Sequence, residues 1–222
     1  RDSHGDRKMY AKETLKRTLE HLTGIGRPSR AEVKSRINAR KAWPSRFRDD
    51  GRIPNNTDLP LIHYRGAVEL SGATDPAAVF EEMFATNGWR SSWRNGIYDY
   101  VHYHPRTHEV LGVADGKARV RFGGAKGKIV RLKAGDVVVL PAGTGHQALS
   151  ASKDLVVVGA YPPGEKYEEF EGSQTEHARA VGMIPKVPLP RKDPVYGADG
   201  PLARLWRRKR VGARGKVRAA KR

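Results

Sequence analysis

The sequence predicts an all-β domain, a single barrel or sandwich with helical and proline-rich segments around it. Three observations carry that expectation. Residues 96–161 run as short apolar stretches, IYDYVHYH, EVLGV, ARVRFGG, KIVRL, DVVVLPAG and LVVVGAY, separated by Gly, Pro and Asp turn signals at the spacing of sheet domains. The 222-residue chain has no cysteine, which excludes a disulfide framework, a thiolate metal site and a cysteine nucleophile. The net charge of +18 sits at the ends: residues 1–48 hold 14 Lys/Arg against 5 Asp/Glu, and 204–222 hold ten cations and no acid. Between them, 49–203 is close to neutral with 18 basic and 19 acidic residues, so arguments about anionic partners attach to the arms.

Taken in order, residues 1–8 read as a loose start. Leu15, Leu19 and Leu22 form one apolar helical stripe, which Gly24 stops. Ser29 to Glu32 is a capping box opening a second helix through about Asn38. Residues 43–58 carry Pro44, Gly51, Pro54, Asn55 and Asn56 and read as an extended loop. LPLIHYRGAVEL, 59–70, reads as strand, and Asp75-Pro76 caps a helix of about 76–86 that Asn87-Gly88 ends. Ser173 to Glu176 is a further capping box, for a short helix that Gly182 stops. Five prolines between 183 and 203 forbid a regular helix there, while Val187, Leu189, Val195, Tyr196 and Leu202 keep that arm on a surface. The domain reading is therefore a basic helical arm at 1–48, a barrel with its leading strand and helix at 49–172, a wrapping segment at 173–206, and a disordered basic tail at 207–222.

Four of the eight histidines fall between 102 and 146. His102 and His104, two apart, project from one face if they lie on a strand. Pro105 turns the chain before Glu109, and His146 follows the turn Pro141-Ala142-Gly143. Three imidazoles and a carboxylate from neighbouring strands suit a divalent first-row ion. His108 rivals Glu109 for the fourth position. The turn at Pro105 resets parity in favour of Glu109 and leaves His108 as an outward, supporting or surface residue.

These residues resemble the cupins. That family's first motif is Gly, five residues, His-x-His, three or four residues, Glu, six residues, Gly, and here Gly96, His102, His104, Glu109 and Gly116 stand at matching offsets. The second motif is Gly, five residues, Pro-x-Gly, two residues, His, three residues, Asn, met by Gly135, Pro141, Gly143 and His146, with Ser150 where Asn is expected. GIYDYVHYHPRTHEVLGV, LPAGTGHQALSAS and DPVYGADGPL are similar, more narrowly, to the YjlB-like cupins. The resemblance implies a double-stranded β-helix, or jelly-roll, holding one divalent ion (Mn, Fe, Ni, Zn or Cu) on His102, His104, Glu109 and His146. It also implies a dimer. It selects no reaction, because fold does not dictate chemistry.

If 98–104 is one strand, Tyr98 and Tyr100 share the inward face of His102 and His104, either as acid–base or substrate-contacting groups or as core aromatics. Leu111 and Val113 share the face of Glu109 and make the wall apolar. Arg94 stands before that strand, near a pocket mouth, where it either meets an anionic substrate or serves structure. No nucleophile elbow, phosphate loop or dinucleotide fingerprint is present. The expected function is a metal-dependent oxidoreductase, lyase or isomerase on a small oxygen-rich or anionic metabolite; the alternative is a non-catalytic ligand-binding or sensing module with an anchoring metal. The basic ends suggest at most weak, nonspecific nucleic-acid contact, with a helix-turn-helix in 10–39 as a poorer reading. No apolar run approaches the ~18 residues of a membrane span, and residues 1–30 lack an apolar signal core, so the expected location is cytoplasmic.

Overall fold

The computed structural model describes residues 14–20, 22, 23, 26–164 and 167–207. Among these residues nine strands form two antiparallel sheets. They are β1 (Ala42–Ser45), β2 (Leu61–Tyr64), β3 (Arg90–Asn95), β4 (Glu109–Asp115), β5 (Lys117–Phe122), β6 (Lys128–Lys133), β7 (Val137–Leu140), β8 (His146–Ala151) and β9 (Val156–Tyr161). The larger sheet runs β1-β2-β7-β4-β9-β3 and the smaller β6-β5-β8.

Side-chain alternation divides the larger sheet between two cores. Leu111, Val113, Val138, Leu140 and Val157 meet Ala118, Val120, Phe122 and Leu132 of the smaller sheet. Their alternates Val110, Val137, Val139, Val158 and Ala160 meet Phe80, Met83 and Phe84 of the helix Pro76–Thr86, together with Trp89, Val195, Leu202 and Trp206. The helix comes close because β4 carries Gly112, where a Cβ would meet the Phe80 ring at 2.4 Å. Asp75 caps this helix by accepting the Ala77 N–H, with Pro76 in its first turn.

Several expectations shift. β1 and its Pro44 lie within the segment read as loop; Pro is tolerated because β1 is the sheet's edge. Of 59–70 only 61–64 is strand, with an isolated bridge at Val68. The Ser29-capped helix ends at Ser35, and the Ser173-capped helix runs past Gly182 to Met183 before Pro185 imposes a 3-10 turn. The prolines leave room for a helical turn at Leu202–Leu205. The structure also adds β3 and β8, and it places 97–101 outside any strand. Residues 14–20 are helical, whereas Gly24 and the tail beyond Arg207 lie outside the described residues. The proline-rich arm folds around buried Asp193, which accepts the hydroxyl of Tyr64 and the backbone N–H groups of Val195, Tyr196 and Leu202.

Candidate metal centre

His102 and His146 face each other across an isolated antiparallel bridge, each donating its N–H to the other's carbonyl (3.1 and 2.9 Å). The Gly143 N–H binds the His104 carbonyl at 2.8 Å, so the His-x-His segment is tied to the turn before β8 at two places. Gly143 has φ +89°, and a Cβ there would meet the Ile184 side chain at 2.4 Å and the Asn55 carbonyl at 2.9 Å. Glycine is the residue that fits both constraints. Glu109 opens β4 in the inward phase shared with Leu111 and Val113.

The three imidazoles are buried, and one ligand atom from each lies within 4.8 Å of the others. Each Nδ1 faces a backbone carbonyl: Tyr100 for His102 (3.3 Å), Glu168 for His104 (3.0 Å) and Thr144 for His146 (3.2 Å). A carbonyl only accepts, so Nδ1 carries the proton and each Nε2 keeps a free lone pair. Burial lowers the pKa of all three, helped at His102 by His104 and at His146 by both other rings. Neutral imidazole is the ligand form.

Glu109 completes the convergence. Its buried Oε2 lies 3.5 Å from His104 Nε2 and 3.4 Å from His146 Nε2, with no hydrogen-bond partner. Burial pushes its carboxyl up to about 7, opposed by the charge of His102 and a hydrogen bond with Tyr161. Trp93 Nε1 in turn donates to the Tyr161 hydroxyl at 2.8 Å. Acceptors gathered this closely around one point repel each other unless a cation or proton sits among them. The residue set therefore fits a metal ion: three histidine nitrogens could hold one, and Glu109 places a carboxylate oxygen beside them.

The site floors a cavity of about 500 Å³ whose walls include Trp93, Tyr98, Leu111, Tyr161 and Tyr167, with Arg90 at its mouth. Two sequence candidates stand at the edge instead of deep inside. Tyr98 and Tyr100 stack on each other (4.9 Å, 13°) and are 44% and 37% exposed, because 97–101 leaves the sheet and strand parity does not apply. Tyr98 still lines the cavity edge-on to His102, whereas Tyr100 donates to Glu169.

For Arg94 the structure selects the structural one of its two readings and moves it from before the strand onto β3. It lies on β3 in register with Val158, so its guanidinium projects to the helix side of the sheet. There it meets Asp75 (2.7 Å), Glu81 (2.8 Å) and Glu20 (2.9 Å), and it is not available to an anionic ligand. His108 does point away from the barrel, as parity predicts, but it is buried. Its Nδ1 accepts the Ala142 N–H at 2.9 Å and its ring packs on Trp206. Sequence reasoning missed Tyr161, Tyr167 and Arg90. Tyr161 could have been found by counting alternation from Val157 along β9; nothing local marks the other two.

The family model described as Cupin domain matches residues 94–167. "Uncharacterized protein YjlB" of Bacillus subtilis (strain 168) is 42% identical over 160 residues, 72% of this chain and 93% of that protein. A solved protein with a double-stranded β-helix domain from Klebsiella pneumoniae subsp. pneumoniae MGH 78578 aligns with TM-score 0.31 and 17% identity, covering 66% of this chain and 99% of that one. Acireductone dioxygenase from Bacillus anthracis, with a cadmium ion in its active centre, aligns with TM-score 0.32 and 19% identity over 43% of this chain and 68% of that one. Structural overlaps this low bear on neither ligand nor activity here. The family model and the identity over most of both sequences decide the family: this chain belongs to the cupins, in the family of YjlB.

Proposed function

We propose that the chain is a metal-dependent enzyme acting on a small anionic or oxygen-rich molecule, with one divalent ion on His102, His104, His146 and Glu109. The observation that carries this reading is the buried, unpartnered Oε2 of Glu109 beside imidazole lone pairs whose tautomers are set by backbone carbonyls. When bound, the ion supplies Lewis-acid polarisation of a substrate carbonyl or carboxylate. The chain's own groups prepare the site. Tyr161, held by Trp93, orients the Glu109 carboxylate, a supporting contact of the kind that tunes metal ligands. Leu111 and the aromatic walls exclude water from the floor. Arg90 at the mouth is exposed and makes no ion pair among the described residues, so it takes the anion-contacting role that the sequence suggested for Arg94.

The test is elemental analysis of the purified chain, followed by a thermal-shift screen of small carboxylates and hydroxy- and oxo-acids on the metal-loaded protein. About one divalent ion per chain is expected. A ligand should raise Tm in the wild type, raise it less in Arg90→Gln, and be turned over. An equal metal content in His146→Ala would sink the site; binding without turnover would favour a sensing module.

A further inference from the structure

The outer face of the smaller sheet carries charge that the fold does not use. On β5 the residues alternate, with Ala118, Val120 and Phe122 buried and Lys117, Arg119 and Arg121 on the other face. β6 pairs in a register that sets Lys117 opposite Lys133 and Arg119 opposite Arg131. Like charges directly across a ladder destabilise it. On the other side β8 offers only Ser150 opposite Arg119 and Gln147 opposite Arg121. Among the described residues no salt bridge reaches any of these five cations. Beside this face a cleft of about 1100 Å³ opens toward β1 and β2. It presents Trp43, 46% exposed, with the Lys41 ammonium and the Arg65 guanidinium over its ring, each 5.0 Å from the centroid.

We propose that this face and cleft bind single-stranded nucleic acid, as a surface separate from the metal cavity. Two rows of cations at the regular spacing of a sheet track a phosphate chain, and an exposed indole in a cationic setting offers a platform to a base. A second copy of this chain is the wrong occupant, since it would set one cationic face against another. Outside Trp43 in the cleft, the sheet face has Ile129 alone as an exposed large apolar residue among the described residues, too little for the apolar anchors of a protein partner.

The experiment uses the full chain and a fluorescein-labelled 20-nucleotide oligo(dT), with affinity measured against salt concentration. Because the basic ends also attract polyanions, the informative quantity is the difference between the wild type and Lys117→Gln/Arg119→Gln/Arg131→Gln/Lys133→Gln. Losing up to four phosphate contacts should flatten the slope of log K on log[salt] by up to about 3, at about 0.7 per contact on a single strand. Removing the like-charge pairs leaves the fold intact, which metal content and Tm check independently. Trp43→Leu should weaken binding about fivefold or more with the slope unchanged, since stacking releases no counterions. An unchanged slope in the quadruple variant overturns the face. Unchanged affinity in Trp43→Leu overturns the single-strand assignment. Poly-glutamate of equal charge binding as tightly, and losing affinity equally in the quadruple variant, overturns nucleic acid in favour of an acidic protein.

Discussion

Replacing Arg94 with methionine separates two roles for that residue. Its guanidinium is 2% exposed and hydrogen-bonds three carboxylates, Asp75, Glu81 and Glu20. Removing one partner of a buried ionic group costs about 3–5 kcal/mol, because the charges left behind stay buried. The carboxylates here are unequally exposed to the loss. Asp75 keeps Lys16 (2.9 Å) and the Ala77 N–H, and Glu20, already pushed up to about 7 by burial and by Asp75, can absorb the change as a proton. Among the described residues Glu81 keeps the partly exposed Arg17 at 3.1 Å as its one remaining ion-pair partner and bears most of the cost. The expected loss is therefore near the lower end, about 3 kcal/mol, or about 6–12 °C in Tm for a chain of this size. Urea unfolding of the full protein at pH 8 measures it, and Glu81→Gln in the Arg94→Met background should restore part of the stability. At pH 5 the penalty should shrink as carboxylates take up protons. A loss below about 1 kcal/mol at pH 8, the range of ordinary surface substitutions, would refute the account and return Arg94 to the list of ligand contacts.

Glu20 gives a pH dependence of definite sign. Its folded pKa of about 7 lies above the usual 4.5, so its contribution is fully present below 4.5 and is lost as pH rises through about 7; protease cleavage near residues 14–20 should increase over that range, and Glu20→Gln should abolish the increase. Glu109→Gln should lower metal affinity more than His108→Ala, as competitive chelator titration can show. His108→Ala should instead lower stability by about 1–3 kcal/mol through the orphaned Ala142 N–H, with metal content kept; the reverse pattern would place the fourth ligand at His108. Gly159→Ala should displace the Trp93 ring, which lies 2.1 Å from where the new Cβ would stand. Loss of the Trp93–Tyr161 hydrogen bond should then appear as weaker metal binding at about 1–3 kcal/mol of destabilisation; unchanged metal affinity would remove Trp93 and Tyr161 from the support of Glu109.

What the sequence made legible was local chemistry. Asp75-Pro76 and Ser173 to Glu176 announce helix starts because a cap is a contact over two or three residues. Gly143 and Pro141 announce the turn that delivers His146 for the same reason. Glu109 and His108 were separable in orientation because Pro105 marks the turn after which strand parity starts afresh. The choice between the two readings of Arg94 was not legible because RSSWRN has no apolar alternation. β3 exists through pairing with β9, and a register shift between Arg90 and Trp93, with Ser91 at φ +53°, re-sets which side chains face inward. Tyr98 and Tyr100 were misplaced because β propensity in IYDYVHYH does not guarantee a partner strand. Only His102 and Tyr103 find one, each in a single bridge.

Trp206 donates its indole N–H to the Pro60 carbonyl and packs on His108, whose ring nitrogen holds the Ala142 N–H in the turn that delivers His146. This buttress comes late in the order of synthesis. Every proposed ligand residue leaves the ribosome before the tryptophan that braces the wall behind them. A nascent chain halted short of residue 206 thus has all four proposed ligand side chains and lacks the Trp206 contact behind the turn. On the proposed ligand set, a chain ending before Trp206 should therefore bind metal more weakly than the full chain, although it has every proposed ligand.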